Sequence, residues 1–321
     1  MKPKELKTSA HIIAFYNLEN LFDIHNDATK HDGDFLPGSE KRWTKKRYEE
    51  KLYKLGQVIS KIGFDDTQKP PAIIGLAEIE NKRVIQDLLQ GKELELYDYG
   101  FVHYDSKDER GIDVALIYDK TVFTVEDSKT FSVYLEDHKG EQDYTRDILL
   151  VSGRLYSEKL HLLINHWPSR REGELESKPK RVKAALKVVE IINSLKKAHS
   201  NPKILVMGDF NDNPSNESLK FLSKEGELYN PMDTLLSYSR GSVNHNFKWN
   251  IFDQILFSTN FFETERNTLK FEEANIFDEA FLKQNKGKFK GQPFRTYAGK
   301  KYKGGYSDHF PVYIQLNMTK P

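Results

Sequence analysis

Gly304-Gly305-Tyr306-Ser307-Asp308-His309-Phe310-Pro311-Val312, near the end of this 321-residue chain, sets an acid and an imidazole side by side between a glycine turn and an apolar run. Glycines permit a tight turn. The run Phe310 to Leu316 reads as a buried strand. Asp308 and His309 therefore stand at a strand mouth, where functional residues often lie. Four more polar clusters follow apolar runs: Asn17 to Asn20, Glu78 to Asn81, Asn165 to Arg170 and Asp209 to Asn211. Core packing needs no such company, whereas a metal-assisted hydrolytic site does.

Outward from that strand, His11 to Tyr16, Ala72 to Ala77, Val114 to Tyr118, Ile204 to Met207 and Ile255 to Phe257 read as further apolar strands. Ile148 to Tyr156 and Leu160 to Ile164 read as neighbours joined by a Ser-Glu-Lys turn. Leu52, Leu55, Ile59 and Ile62 recur at helical spacing and predict a helix over 41–62. Val182, Ala185, Leu186, Val189 and Ile192 predict a second. Residues 23–39 and 225–248 read as irregular. Many strands with a few long helices fit an α+β layered architecture. Strand-rich stretches run from end to end without a repeat or linker, so one domain over 1–321 is expected.

Composition is that of a soluble globular chain, 38% hydrophobic and 30% charged. Lys and Arg number 49 against 48 Asp and Glu, so no global field recruits an anionic partner. Cysteine is absent, which excludes disulfides, thiolate zinc sites and cysteine nucleophiles. Met1 to His11 is polar and lysine-rich, with no apolar stretch of signal length after it. No window approaches a membrane span. A cytoplasmic monomer with no obligate protein partner is expected, and a removed leader stays open.

Gly208-Asp209-Phe210-Asn211-Asp212 follows a buried strand directly. Asp209 and Asn211 face one way if extended, and an Asx turn is the alternative. An EF-hand loop fails, because Pro214 stands at its glycine position and Lys220 at its last ligand. Glu78 ends a buried strand and suits a hard cation, or else complements a helix dipole. Asn17 and Glu19 share a face at the end of the first strand, or form a turn or N-cap. His166 is followed by Pro, Ser and two arginines, including Arg170, a combination suited to oxyanions. Asp253 lies inside the apolar run Ile251 to Leu256 and needs a buried partner, for which His309 is the candidate.

The order Asn17, Glu78, His166, Asp209/Asn211, Asp253, Asp308/His309 closely resembles the endonuclease/exonuclease/phosphatase superfamily, over about Ile12 to Leu316. Gly-Asp-Phe-Asn and Ser-Asp-His-Phe-Pro-Val are the most specific marks. The resemblance implies a four-layered α/β sandwich, two packed β-sheets flanked by helices. It implies Glu78 as the main Mg²⁺ ligand, with Asn17 and Glu19 close by and Asp308 as a second metal-side carboxylate. Mn²⁺ is expected to substitute. Asp209 is implied to orient or deprotonate water, Asn211 and His166 to donate to phosphate oxygens, and Asp253 and His309 to form a dyad. Arg110 falls near a phosphate-contacting arginine of the deoxyribonuclease I branch.

The residue types suit the chemistry. Mg²⁺ prefers carboxylate, amide oxygen and water. Asn and His donors stabilise an oxyanion without competing as ligands, and Asp209 or His309 can accept the proton of water. A metal-dependent phosphodiesterase acting on DNA or RNA is expected. Basic residues after His166 and the lysine-rich stretch 283–303 before Asp308 point to a polyanion. A phosphatase or phosphodiesterase on a small-molecule or lipid phosphoester shares the same fold and site. A non-catalytic nucleic-acid-binding protein on this scaffold would have lost the acids and histidines, and this chain retains them.

Overall fold

The computed structural model describes residues 10–136, 139–171, 173–263 and 268–318; most of the polar N-terminal stretch lies outside them. The pattern of apolar runs resolves into two six-stranded sheets. In spatial order the first holds Leu269–Ile276, Val312–Met318, Ala10–Leu21, Ile73–Ile79, Asp113–Asp119 and Tyr99–His103. The second holds Leu228–Tyr229, Asp253–Ser258, Lys203–Asp209, Glu158–His166, Ile148–Leu155 and Phe123–Phe131. Each has one parallel pair: Ala10–Leu21 with Ile73–Ile79, and Glu158–His166 with Lys203–Asp209.

The central strands of the second sheet are apolar on both faces, which is the mark of burial on both sides. Val151, Leu162, Ile164, Leu205 and Met207 enter the core shared with the first sheet. Their alternates Leu150, Leu163, Ile204 and Val206 turn outward, against Ala185, Val188 and Ile192 of the helix Glu174–Ala198 and Leu219 and Leu222 of the helix Glu217–Gly226. Leu55, Val58 and Ile59 of the helix Lys45–Ile59, with Val84, Ile85 and Leu88 of Lys82–Leu89, join the core that contains the first sheet. The result is the four-layered α+β sandwich. The two sheets approach so closely at Gly75 that a Cβ there would meet Met207 Sδ at 2.7 Å.

Several boundaries differ from the sequence reading. The first strand continues to Leu21 through an irregularity after Asn17, where Glu19 and Asn20 take positive φ. The first helix starts at Lys45, because Arg42 is left-handed and Thr44 is extended. The second reaches from Glu174 to Ala198. The last strand begins at Val312 rather than Phe310, since Pro311 has no N–H for a ladder. Strands Ile148–Leu155 and Glu158–His166 are joined by Tyr156-Ser157, with Tyr156 at positive φ, a tighter turn than expected.

Candidate active site

Register assembles the centre. Asp209 ends its strand level with His166 on one side and Asp253 on the other. From the opposite sheet, Asn17 Nδ2 donates to Asp209 Oδ2 at 3.0 Å. Asn211 N donates to Asp209 Oδ1 at 3.0 Å, so the Asx turn is present and still leaves the carboxylate in the cleft. Burial pushes the Asp209 carboxyl up to about 6, opposed by His309 and reinforced by Asp253.

The two histidines are driven in opposite directions. His309 Nδ1 donates to Asp253 Oδ2 at 2.7 Å, and its Nε2 lies 3.9 Å from Asp209 Oδ2. Burial acts to lower its pKa, but Asp253 and Asp209 outweigh burial and hold the ring protonated well above the usual imidazole range. His166 is lowered well below that range by burial, then by Arg146 and Arg110, so it is neutral. Its Nε2 stands 3.7 Å from Asp209 Oδ2 and 4.0 Å from Glu78 Oε1. Its buried Nδ1 has no partner among the described residues.

Glu78 sits at φ +64 in an irregularity between Ala77 and Ile79. Such outliers cluster where a side chain must be aimed. Its Oε2 accepts from Asn20 N at 2.7 Å, while its Oε1 takes no hydrogen bond among the described residues. An underused carboxylate oxygen facing an uncharged imidazole fits a hard divalent cation.

Glu78, His166, Asp209, Asn211, Asp308 and His309 line one cleft of about 430 Å³, with Arg110 and Arg170 also on its wall. Asn17 and Asp253 stand behind it, bonded to Asp209 and His309. Glu19 is different. Its carboxylate turns away and accepts from Thr296 N at 2.6 Å and Tyr297 N at 3.2 Å, tying the first strand to the C-terminal loop. Burial raises it to about 7, with Asp308 adding and Lys51 opposing. Arg170 is also committed, bonding Asn211 O, Asp212 Oδ1 and Glu174. It braces the Asp209–Asp212 loop rather than offering a free guanidinium.

Arg295, from the basic stretch before Asp308, and two cations that the sequence reading does not single out, Lys51 and Arg146, stand around these acids and imidazoles. Arg295 Nη2 donates to Asp308 Oδ2 at 2.6 Å. Burial acts to raise Asp308, and His309, Arg295 and Lys51 overcome it and hold the carboxyl below its usual range. Lys51 is buried, lowered to about 8 by burial against the pull of Glu19 and Asp308. It was detectable: a lysine four residues before Leu55 and eight before Ile59 lies on the apolar face of its helix. Arg146, buried and near enough for its charge to lower the His166 pKa, bonds Trp167 O and Asp108 and belongs to no motif. At the cleft mouth Arg171 is exposed and has no acidic partner among the described residues.

Two helix-covered sheets, with acids, amides and imidazoles gathered at one end, define a phosphoesterase-type sandwich. A model of the Endonuclease/Exonuclease/phosphatase family matches residues 12–318, and the chain belongs to that family of phosphoester hydrolases. Solved structures share the fold at low identity. The mannosyl-6-phosphatase Bt3783 of Bacteroides thetaiotaomicron is 17% identical with a TM-score of 0.58, the match covering 95% of this chain and 99% of that one. D. rerio TDP2, humanized by 14 mutations, is 14% identical with a TM-score of 0.59, covering 96% and 99%. The human Nocturnin catalytic domain with bound sulfate is 14% identical with a TM-score of 0.58, covering 97% and 95%. No curated protein sequence matches the chain.

Proposed function

We propose that this chain is a divalent-metal-dependent phosphodiesterase acting on nucleic acid. The observation that carries the reading is the convergence of the Asp253–His309 pair, the buried Asp209, neutral His166 and Glu78 on one cleft. Mg²⁺, or Mn²⁺ in its place, would be held by Glu78, with Asn17 and Asp308 nearby, and would offset charge on a phosphate oxygen. Asp209, fixed by Asn17 and Asn211, orients the attacking water and accepts its proton. His309, already protonated, donates through Nε2 to a phosphate oxygen, while Asp253 fixes its ring. His166 and Asn211 supply neutral donors, and Arg110 and Arg171 charge-assisted ones. Glu19 positions the C-terminal loop.

Basic rims support a polyanion. Arg171 follows the His166 segment, and Lys286, Lys288 and Lys290 precede Asp308 with no acidic partner among the described residues. Hydrolysis of small sugar or lipid-headgroup phosphoesters is the second reading, favoured by the net charge of +1. Plasmid DNA, RNA and a sugar phosphate, each offered with Mg²⁺ or Mn²⁺, separate the two. Nucleic-acid cleavage that stops in excess chelator is expected, with Glu78→Ala demanding more metal. Full activity in chelator overturns the metal dependence, and sugar-phosphate turnover alone overturns the nucleic-acid reading.

A further inference from the structure

The hairpin Val243–His245 and Lys248–Asn250 has a two-residue tip, Asn246-Phe247, in which both φ angles are positive, +49 and +63. Asn-Gly normally fills such a turn. A bulky residue in the left-handed region is a genuine outlier, and such strain points toward function rather than folding. Phe247 does not use the position to enter the core. It is 60% exposed, and its ring lies parallel to Phe289, itself 40% exposed, at 2° between planes and 5.6 Å between centroids.

We propose that Phe247 and Phe289 form a platform on which a base of a single polynucleotide strand stacks, beside the catalytic cleft. The inference rests on the phosphodiesterase reading and names its substrate as a base-bearing polymer. Both arms of the platform are rooted in the cleft. Val243 pairs with His309, and Phe310 N donates to Ser242 O at 2.7 Å. His245 and Asn250 line the cleft wall. On the other arm, Arg295 lines it and holds Asp308.

Charge and distance select the occupant. Lys288 Nζ lies 4.9 Å over the Phe289 ring, and Lys286 and Lys290 flank it. Aromatic faces among lysines with no acidic partner among the described residues combine base stacking with backbone attraction. The strand from Val243, which pairs with His309, to His245 spans roughly 7 Å at ~3.3 Å per residue before the turn. Stacked nucleotides advance ~3.4 Å each, so about two or three of them separate a phosphate held at His309 from the platform. A single sugar phosphate does not reach it.

The test uses Phe247→Gly in the full chain, with two labelled probes in chelator: an oligothymidylate of about twelve nucleotides and a deoxyribose-phosphate oligomer of equal length without bases. The unsubstituted chain prefers the base-bearing probe, and the variant narrows that preference by at least ~5-fold, the lower end for one stacked base. Phe247→Trp retains it. The melting temperature of Phe247→Gly holds or rises slightly, because glycine adopts positive φ without strain. An unchanged preference overturns the platform, as does a fall of several degrees in melting temperature, which would make Phe247 a packing residue. Loss of binding to phosphatidylserine vesicles with oligothymidylate binding intact would assign the surface to membrane and overturn it equally. Metal-dependent hydrolysis of bis(nitrophenyl) phosphate by the unsubstituted chain reports the phosphodiesterase reading separately.

Discussion

Among the described residues, two clusters place one imidazole and two carboxylates with ligand atoms within 4.8 Å of each other: Asp209, Asp253 and His309, and His103, Asp105 and Asp113. Their ingredients are identical and their states opposite. His309 is bonded to Asp253 and held protonated. His103 is buried with neither ring nitrogen bonded among the described residues, and burial lowers it to about 4. Asp113 is pushed up to about 7 by burial, while Lys30 stands 3.9 Å from Asp105 as the local cation. Proximity of ligands does not define a site; hydrogen bonding and access do. The second cluster is a support. Asp113 Oδ1 accepts from Ser106 N at 3.1 Å, fixing the loop that delivers Arg110 to the cleft.

The contrast breaks most sharply at the rate. Asp209→Asn lowers kcat by at least ~10²-fold, the low end for general acid–base groups, whereas Asp113→Asn changes it only a few-fold. Steady-state hydrolysis of a chromogenic diester measures both, and wild-type turnover in Asp209→Asn removes it from the mechanism. Next in size is coupling. His309→Ala and Asp253→Ala act as one unit in kcat/KM, with a non-additive component of ~0.5–3 kcal/mol; additive losses would separate the pair. The same cycle at His103 and Asp113 gives additive effects on the rate.

Smaller effects lie in stability. Asp113 loses its proton near the ordinary 3.8 when unfolded and at about 7 when folded. The folded state therefore binds the extra proton between these limits, and stability falls as pH rises from about 4 to about 7. Asp113→Asn removes that fall, worth roughly 2–3 kcal/mol between pH 5 and 8 in urea unfolding. An unchanged pH slope would show that Lys30 already compensates the charge. His103 runs the other way. Its folded pKa, about 4, lies below the ordinary 6.5, so stability is lost as pH falls through that window. His103→Gln flattens the acid limb, by roughly 1 kcal/mol between pH 6 and pH 5. A limb as steep as before would place its origin elsewhere.

What the sequence revealed follows burial. Asp209, Glu78 and His166 were legible because each ends an apolar run, and Asp253 because it interrupts one. Strands Tyr99–His103, Phe123–Phe131 and Leu269–Ile276 were not, and all three are sheet edges. An edge strand has one partner and charges along it, as in Phe123–Phe131, so no unbroken run announces it. Glu19 and Arg170 carry a different lesson. Their residue types and spacing suited the cleft, but Glu19, in a left-handed turn with Asn20, gives its carboxylate to Thr296 N and Tyr297 N, and the Arg170 guanidinium is taken up by Asn211 O, Asp212 and Glu174. Lys51 was visible as a helix-face anomaly; Arg146 left no pattern at all.

The level pairing of His166, Asp209 and Asp253 across three adjacent strands has a consequence for how this chain can change. Side chains alternate faces at every residue, so inserting or deleting one residue before Asp209 within its strand turns it out of the cleft while the ladder still forms. Such a chain would fold and be inert. Length variation is therefore confined to connections, such as 230–242, that lie between strands rather than within them. New specificities can grow on those loops while the spacing inside the strands stays locked.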